Sequence, residues 1–167
     1  MGEQMTFQIA ELPAPGGGTL GLCPLPGRWG DVLGDFEIIR AWAPDIVVSM
    51  TEPVEMERHN VADMDSILTS DGITWAHFPV RDFEVPGRDA EWAGLSQKLH
   101  TILDFNGKVL VHCYGGKGRS GMVLTRLLVE RGDLAGIALQ KIRNVRKGAV
   151  ETGEQEIWGA SGFLING

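Results

Sequence analysis

The sequence has 167 residues, of which 43% are hydrophobic and 22% are charged, and its formal net charge is −7 at pH 7. This length and composition predict one globular domain over residues 1–167, with enough apolar side chains to form a core without a disulfide or a metal. The negative charge argues against a general nucleic-acid-binding protein and weakly against a protein that lies on anionic membranes.

The first 42 residues are predicted to form two strands and a helix. Short strands at 7–9 and 19–23 flank a glycine-rich turn at 14–18. A helix over 31–42 follows, because its apolar residues recur at the spacing of one helical face. The residues on this predicted buried face are Val32, Leu33, Phe36 and Ile39.

The next segment is predicted to place two short helices between two strands. The β-branched run at 46–50 is typical of a buried strand, and 73–79 is a second strand. Thr51, just before Glu52-Pro53, predicts a helix start, since a capping hydroxyl precedes a proline in the first turn. Asn60 is a candidate cap for the other short helix.

The second half of the chain is predicted to surround one central strand with helices. Asp89 caps a long helix that ends near Phe105, and 108–112 is the central strand. The helix that starts near Ser120 presents one apolar face. Its residues are Val123, Leu124, Leu127 and Leu128, with Arg126 and Glu130 opposite.

Two further helices complete the predicted fold. Asp133 caps a helix that is buried through Leu134, Ile137, Ala138 and Ile142, and Thr152 caps the last helix near 153–164. Strands that alternate with helices predict an α/β fold, in which helices flank a central and mainly parallel sheet. Open sheets of this class bind ligands at the carboxyl ends of their strands.

Residues 112–120 carry the most informative chemistry. They read His-Cys-Tyr-Gly-Gly-Lys-Gly-Arg-Ser, with three glycines among the five residues that separate Cys113 from Arg119. Glycines let a backbone turn tightly and approach a ligand closely, and the N-terminus of the following helix favours an anion. The run therefore predicts a loop that binds a phosphate-sized dianion and presents a sulfur nucleophile to it.

This run resembles the His-Cys-x-x-Gly-x-x-Arg-Ser signature of cysteine-dependent protein tyrosine and dual-specificity phosphatases. Three outer segments are similar to the same family, closest to its kinase-associated phosphatase branch. They are an entry strand at 20–27, a general-acid loop at 78–82 with Pro86, and a glutamine-bearing segment at 149–155. The resemblance implies the fold of that family and hydrolysis of phosphorylated proteins through a cysteinyl-phosphate, with no metal and no cofactor.

Each residue of the signature has an expected role. Cys113 is the nucleophile, Arg119 binds two phosphoryl oxygens, and Ser120 donates a hydrogen bond to the sulfur. The resemblance implies that His112 supports the loop from beneath and is not a base. The phosphate-binding loop comprises Tyr114, Gly115, Gly116, Lys117, Gly118 and Arg119.

The reaction also needs a proton donor for the leaving oxygen and later a base for water. Asp82 is the candidate, because it follows a predicted strand in a loop that holds Pro86-Gly87. Glu84 is the fallback and Asp89 a weaker choice. Gln155 is the candidate for orienting the hydrolytic water, with a solvated helix glutamine as the plain alternative.

Several alternatives stay open. Lys117 resembles a lysine of phosphoinositide phosphatases, so a lipid or inositol phosphate is the second candidate substrate, although Tyr114 stands where those enzymes usually carry another lysine. A sulfurtransferase, which would not need Asp82, and a catalytically inactive phosphoprotein-binding module are the other two classes. The loop lies too far along the chain for a low-molecular-weight phosphatase.

The cysteines and the N-terminus favour the cytoplasm. Residues 1–22 lack Lys and Arg and a long apolar core, so they do not resemble a signal peptide. No apolar run approaches the ~20 residues that cross a membrane. Cys23 and Cys113 are the only two cysteines, which excludes a disulfide framework. Cys23 is interpreted as a buried strand residue, with a disulfide to Cys113 under oxidation as the alternative.

Overall fold

The computed structural model describes residues 6–164, which form five strands and seven helices. The strands are β1 Ala10–Pro13, β2 Thr19–Cys23, β3 Ile46–Ser49, β4 Thr74–His77 and β5 Lys108–His112. The helices are α1 Val32–Trp42, α2 Pro53–Arg58, α3 Met64–Ser70, α4 Asp89–Asp104, α5 Gly118–Glu130, α6 Ala135–Val145 and α7 Gly153–Ala160.

One sheet organises the molecule, with the strand order β1-β2-β5-β3-β4. Only β1 runs antiparallel to its neighbour, and the four other strands are parallel. The register aligns His112, the last residue of β5, with Cys23 of β2 and Ser49 of β3. The carboxyl ends of three strands therefore meet where the signature loop begins, and the predicted mainly parallel α/β fold is confirmed.

Alternate residues of the central strand β5 face two separate cores. Val109 and Val111 lie in a cluster with side chains of α4, α5 and α6. Leu110 lies on the other face, with side chains of α1, α2 and α3. Burial of the strand on both faces explains its continuous apolar run. In residues 6–164, no helix has the length and apolar character needed to cross a membrane.

The structure corrects several predicted element boundaries. The first strand is β1 at Ala10–Pro13, whereas 7–9 lies outside any strand. Thr152 caps α7 as predicted, because its Oγ1 accepts the N–H of Gln155. Four other predicted N-caps are wrong, namely Thr51, Asn60, Asp89 and Asp133. The N-cap positions belong to Glu52, Asp63, Arg88 and Leu134. Glu52 forms a capping box with Glu55, whose Oε2 accepts the Glu52 N–H at 2.7 Å, whereas the other three side chains make no cap bond.

Three residues predicted on buried helix faces are exposed, and one predicted on an outer face is buried. Leu33 is 82% exposed, Leu134 is 77% exposed and Ile137 is 46% exposed. These three residues lie at the edges of their helix faces. Residues at the centres of the same faces, such as Phe36 and Ile142, are buried. Glu130 was expected opposite the apolar face of α5, yet only 6% of it is exposed.

Glu130 is buried because four donors from α4 and α5 surround its carboxylate. Oε1 accepts from Ser96 Oγ at 2.7 Å and from His100 Nε2 at 3.0 Å. Oε2 accepts from Trp92 Nε1 at 3.1 Å and from Arg126 Nε at 3.3 Å. Burial alone would raise the pKa of Glu130, but the hydrogen bonds from His100, Ser96 and Trp92 outweigh it and hold that pKa below its usual value.

We expect Glu130→Ala to lower the free energy of unfolding by about 3 kcal/mol, because it leaves buried donors without an acceptor. Urea unfolding at pH 7 measures the change. Glu37→Ala, on the exposed side of α1, is the control and should cost less than about 0.5 kcal/mol. The wild-type advantage should shrink as the pH falls through the lowered pKa of Glu130, because the carboxylate then takes a proton. Equal costs for both variants at pH 7 would contradict a structural role for the buried carboxylate.

Candidate active site

Cys113 lies at the mouth of the signature loop, directly after β5. Its Sγ is 3.2 Å from Ser120 Oγ on the first turn of α5, and both residues are almost completely buried. The buried strand positions the sulfur from one side and the buried helix positions the hydroxyl from the other. The two residues that the sequence predicts as nucleophile and sulfur partner are therefore in contact.

The carbonyl of Cys113 lies at the end of a chain of hydrogen bonds that runs through His112. Trp75 Nε1 donates to Ser49 Oγ at 2.8 Å, and Ser49 Oγ lies 2.5 Å from His112 Nε2. His112 Nδ1 lies 3.3 Å from the Cys113 carbonyl, which can only accept, so we assign the Nδ1–H tautomer. Burial lowers the pKa of His112 to about 4, which keeps the ring neutral in this supporting role.

Two arginines from outside the loop hold the next three carbonyls. The Tyr114 carbonyl accepts from the Leu25 N–H at 3.1 Å and from Arg28 Nη1 at 3.4 Å. Arg146 donates to the Gly115 carbonyl at 3.1 Å and to the Gly116 carbonyl at 3.2 Å. The sequence analysis did not identify Arg28 or Arg146, because no local pattern marks a contact that spans 86 or 30 residues of chain.

The last carbonyl of the loop, that of Lys117, accepts from the N–H groups of Gly121 and Val150, each at 3.0 Å. All five carbonyls of residues 113–117 thus have partners outside the loop. In a trans peptide the N–H of the next residue points opposite to the carbonyl. The N–H groups of residues 114–118 therefore turn inward and line an anion cradle.

Gly116 shows why one loop position requires glycine. Its φ is +67°, a region that L-residues with a Cβ rarely adopt. A Cβ there would also lie only 2.6 Å from the backbone of Cys23 and Pro24.

Cys23 itself is buried in β2, where burial raises the pKa of its thiol. This placement agrees with the interpretation of Cys23 as a buried strand residue.

Arg119 is fully buried and is oriented by a carboxylate that the sequence analysis did not identify. Glu55 on α2 accepts from Arg119 Nη1 at 2.8 Å and from Nη2 at 2.7 Å, a bidentate pair. Nη1 also donates to the Val80 carbonyl at 2.9 Å. Burial alone would lower the pKa of Arg119, but the hydrogen bond to Glu55 outweighs it, and the guanidinium stays charged.

Two donors of Arg119 are not satisfied by Glu55. Its Nε is buried and has no hydrogen-bond partner in the part of the chain that the structure describes. Its Nη2 also lies 3.3 Å from Asp82 Oδ1. A buried, unpartnered N–H is costly, so this edge of the guanidinium is suited to bind an anion. Glu55 holds the edge formed by Nη1 and Nη2 and leaves Nε available.

Asp82 is the carboxylate that the structure brings to this site. It is 41% exposed at the side chain and accepts the N–H of Phe83 at 3.0 Å, beside Arg119. Arg119 makes no contact with the fallback candidates Glu84 and Asp89 within residues 6–164; Asp89 begins α4 and is exposed. The general-acid candidate from the sequence is thus the one located next to the anion cradle.

The other candidates take different positions. Gln155 is fully buried, and its amide is hydrogen-bonded to the backbone of Glu151 and Glu84. A Cβ at Gly148 would lie 3.8 Å from the ammonium of Lys117, which therefore extends toward the 146–149 turn. Of the three unassigned histidines, one packs against the phosphate loop, where the His59 ring lies 5.4 Å from the Tyr114 ring. The other two make contacts elsewhere: His77 Nε2 lies 2.7 Å from the Thr51 carbonyl, and His100 binds Glu130.

The same loop and fold occur in known proteins. The family model described as "Polymorphic toxin system, DSP-PTPase phosphatase" matches residues 25–133. Cyclin-dependent kinase inhibitor 3 of Rattus norvegicus is 33% identical over 165 residues, which cover 92% of this chain and 77% of the relative. This chain belongs to the dual-specificity phosphatase family. It is an enzyme of the protein tyrosine and dual-specificity phosphatase class, which confirms the resemblance seen in the sequence.

Solved structures place the chain in the kinase-associated branch of this family. Kinase-associated phosphatase, with its catalytic-site cysteine replaced by serine, superposes with a TM-score of 0.82 and 27% identity over 94% of both chains. PTPMT1 in complex with PI(5)P has a TM-score of 0.67 and 17% identity, covering 90% of this chain and 92% of that one. At that identity PTPMT1 shows the shared fold alone.

We expect Arg146→Met to weaken inhibition by inorganic phosphate about tenfold, or ~1.4 kcal/mol, because two loop carbonyls lose their donor and the cradle loses its preferred shape. The inhibition constant against an aryl phosphate measures the effect. Lys147→Met removes the same charge from the neighbouring exposed residue and should change the constant by less than about twofold. Equal effects in the two variants would assign the result to net charge and contradict the proposed role of the carbonyl contacts.

Proposed function

We propose that this chain, acting as one catalytic domain, hydrolyses phosphomonoesters on proteins through a cysteinyl-phosphate intermediate formed on Cys113. One observation carries the proposal. The carbonyls of residues 113–117 all have partners outside the loop, and Nε of the buried Arg119 has no partner among the described residues. A phosphoryl group bound there would meet a sulfur nucleophile, a guanidinium and backbone donors together.

In the first step, Cys113 Sγ attacks phosphorus in line with the leaving oxygen. Arg119 Nε and Nη2 bind two phosphoryl oxygens and stabilise the charge that spreads over them in the transition state. Asp82 is placed beside Arg119 to give its proton to the leaving oxygen. The S–P bond forms as the P–O bond breaks, and the protonated alcohol leaves.

In the second step, water attacks the cysteinyl-phosphate. Asp82, now ionised, takes the proton of the water, and the P–O bond forms as the S–P bond breaks. Ser120 Oγ, 3.2 Å from the sulfur, stabilises the departing thiolate with a hydrogen bond. The products are inorganic phosphate and the free Cys113 thiolate, and the enzyme returns to its starting state.

A phosphoprotein is the substrate class that the relatives favour. Both relatives are named for kinases, so phosphotyrosine, phosphoserine or phosphothreonine on a kinase-associated protein is the leading proposal. Two cysteines without a disulfide favour a reducing compartment such as the cytoplasm. A phosphoinositide remains the second candidate because of Lys117, whose ammonium lies near the 146–149 turn beside the loop.

We expect metal-independent hydrolysis of aryl phosphate and of a phosphotyrosine peptide, with turnover lost in Cys113→Ser. A panel with soluble phosphoinositides should give a larger kcat/KM for the peptide, since the protein has a net charge of −7. Lys117→Met should change the peptide-to-lipid ratio by less than about tenfold, or ~1.4 kcal/mol.

The panel has three decisive alternative outcomes. Full turnover in Cys113→Ser would overturn the covalent mechanism. A wild-type preference for phosphoinositide that collapses in Lys117→Met would establish the second candidate instead. Tight binding of a phosphopeptide without any turnover would indicate a binding module. Activity that survives EDTA and stops with vanadate or iodoacetate is the expected inhibition pattern.

We expect Asp82→Asn to lower kcat by roughly 10²-fold on a phosphate ester with a poor leaving group, the usual scale for a positioned acid. The loss should be smaller for para-nitrophenyl phosphate, whose leaving group needs no proton. Steady-state kinetics on both esters measure the difference, and Glu84→Gln is the comparison. If Asp82→Asn has no effect and Glu84→Gln is severely impaired, the acid is Glu84.

A further inference from the structure

Gln155 is the only residue of the site segment at 151–155 that is fully buried, and each polar atom of its side-chain amide makes one hydrogen bond to the protein backbone. Oε1 accepts the N–H of Glu151 at 2.9 Å, and Nε2 donates to the carbonyl of Glu84 at 3.2 Å. Turning the amide over would oppose Nε2 to an N–H and Oε1 to a carbonyl, so the orientation is determined. The amide is therefore held by two backbone groups of different segments.

The Glu84 carbonyl belongs to the tight turn that carries Asp82. The Glu84 N–H donates to the Arg81 carbonyl at 3.0 Å, and Phe83 within the turn has a φ of +66°. A positive φ at a bulky residue is strained, so the turn needs an external contact to persist. Gln155 supplies a contact at the turn itself, whereas Arg88 holds only the entry to the loop, at the Pro79 carbonyl.

The amide of Gln155 also lies against the phosphate loop. A Cβ at Gly118, the first residue of α5, would lie nearest to Glu151 Oε1, and it would be 3.0 Å from Gln155 Oε1 and 3.2 Å from Gln155 Nε2. The absence of a side chain at Gly118 is what allows this approach. One buried amide thus touches the loop that binds phosphate and the turn that presents the acid.

We propose that Gln155 is a positioning residue that fixes the acid loop against the phosphate loop by holding the Glu84 carbonyl. The link places Asp82 Oδ1 3.3 Å from Arg119 Nη2 and so sets where the proton donor stands relative to the bound phosphoryl group. This role differs from orienting the hydrolytic water, because it acts on the position of Asp82 and therefore on proton transfer to the leaving oxygen. The inference rests on the proposed function, because it concerns the acid of that reaction.

The test separates the two chemical steps. Gln155→Met keeps the length of the side chain without its polar groups, and rapid-mixing kinetics measure formation and hydrolysis of the cysteinyl-phosphate. We expect formation to slow roughly tenfold with a poor leaving group and by less than about twofold with para-nitrophenyl phosphate. In an Asp82→Asn background the same change should add nothing, since the two residues then act as one unit.

Controls distinguish this role from general damage. Glu154→Gln, the exposed neighbour on α7, should leave both steps unchanged. The rate of Cys113 alkylation by iodoacetate should be the same in Gln155→Met as in the wild type, because the phosphate loop keeps its own contacts. If Gln155→Met does not fold, Gln155→Glu keeps the acceptor for the Glu151 N–H and, as a carboxylate, lacks the donor to Glu84; because it also adds a negative charge, it is compared by hydrogen exchange only.

Hydrogen exchange gives a readout that does not depend on turnover. Exchange of residues 81–87 should be faster in Gln155→Met, whereas exchange in the phosphate loop should be unchanged. The proposal is overturned if exchange of 81–87 is the same in both proteins, or if the variant slows hydrolysis of the intermediate on every substrate and leaves its formation intact. Absence of Cys113-dependent turnover in the wild type would instead refute the proposed function.

Discussion

The orientation of five peptide carbonyls is the constraint on which the site depends. Each carbonyl from Cys113 to Lys117 has a donor outside the loop, and these donors come from β5, the 25–28 segment, α5 and the 146–150 segment. In a planar trans peptide the C=O and N–H groups point in opposite directions, so carbonyls that point outward leave the N–H groups pointing inward. The fold therefore prepares the anion site before any anion arrives, and binding costs little reorganisation.

The side chain of Arg119 is also prepared for an anion by contacts with the rest of the protein. A guanidinium buried without a partner would be unstable, and a guanidinium paired on all sides could not bind substrate. Glu55 binds Nη1 and Nη2, and the Val80 carbonyl accepts from Nη1, so the charge is stabilised. Nε has no partner among the described residues and can bind substrate. Burial would raise the pKa of Glu55, but the hydrogen bond from Arg119 outweighs it and keeps the carboxylate ionised.

Sequence patterns predict those features of this molecule that depend on residues close together in the chain. The nine-residue signature, the central strand and the Thr152 cap depend on neighbours in sequence, and all were identified correctly. Glu55 and Arg146 were missed because their contacts join segments that are far apart in the chain. The wrong caps have a similar cause, since Thr51 and Asp133 have the propensity of caps while tertiary packing starts each helix elsewhere. Glu130 was misplaced because a buried carboxylate needs four donors that only the packed helices supply.

The pairing of Glu55 with Arg119 has a consequence for how substrate reaches the enzyme. The two side-chain charges cancel, so attraction at the bottom of the pocket comes from oriented peptide dipoles, whose field falls off within a few ångströms. The chain as a whole has a net charge of −7, which opposes an approaching anion, and Arg28, Arg146 and Lys117 add positive charge beside the loop. Long-range steering is therefore weak, and selectivity arises after contact, from the fit of a tetrahedral dianion to the cradle.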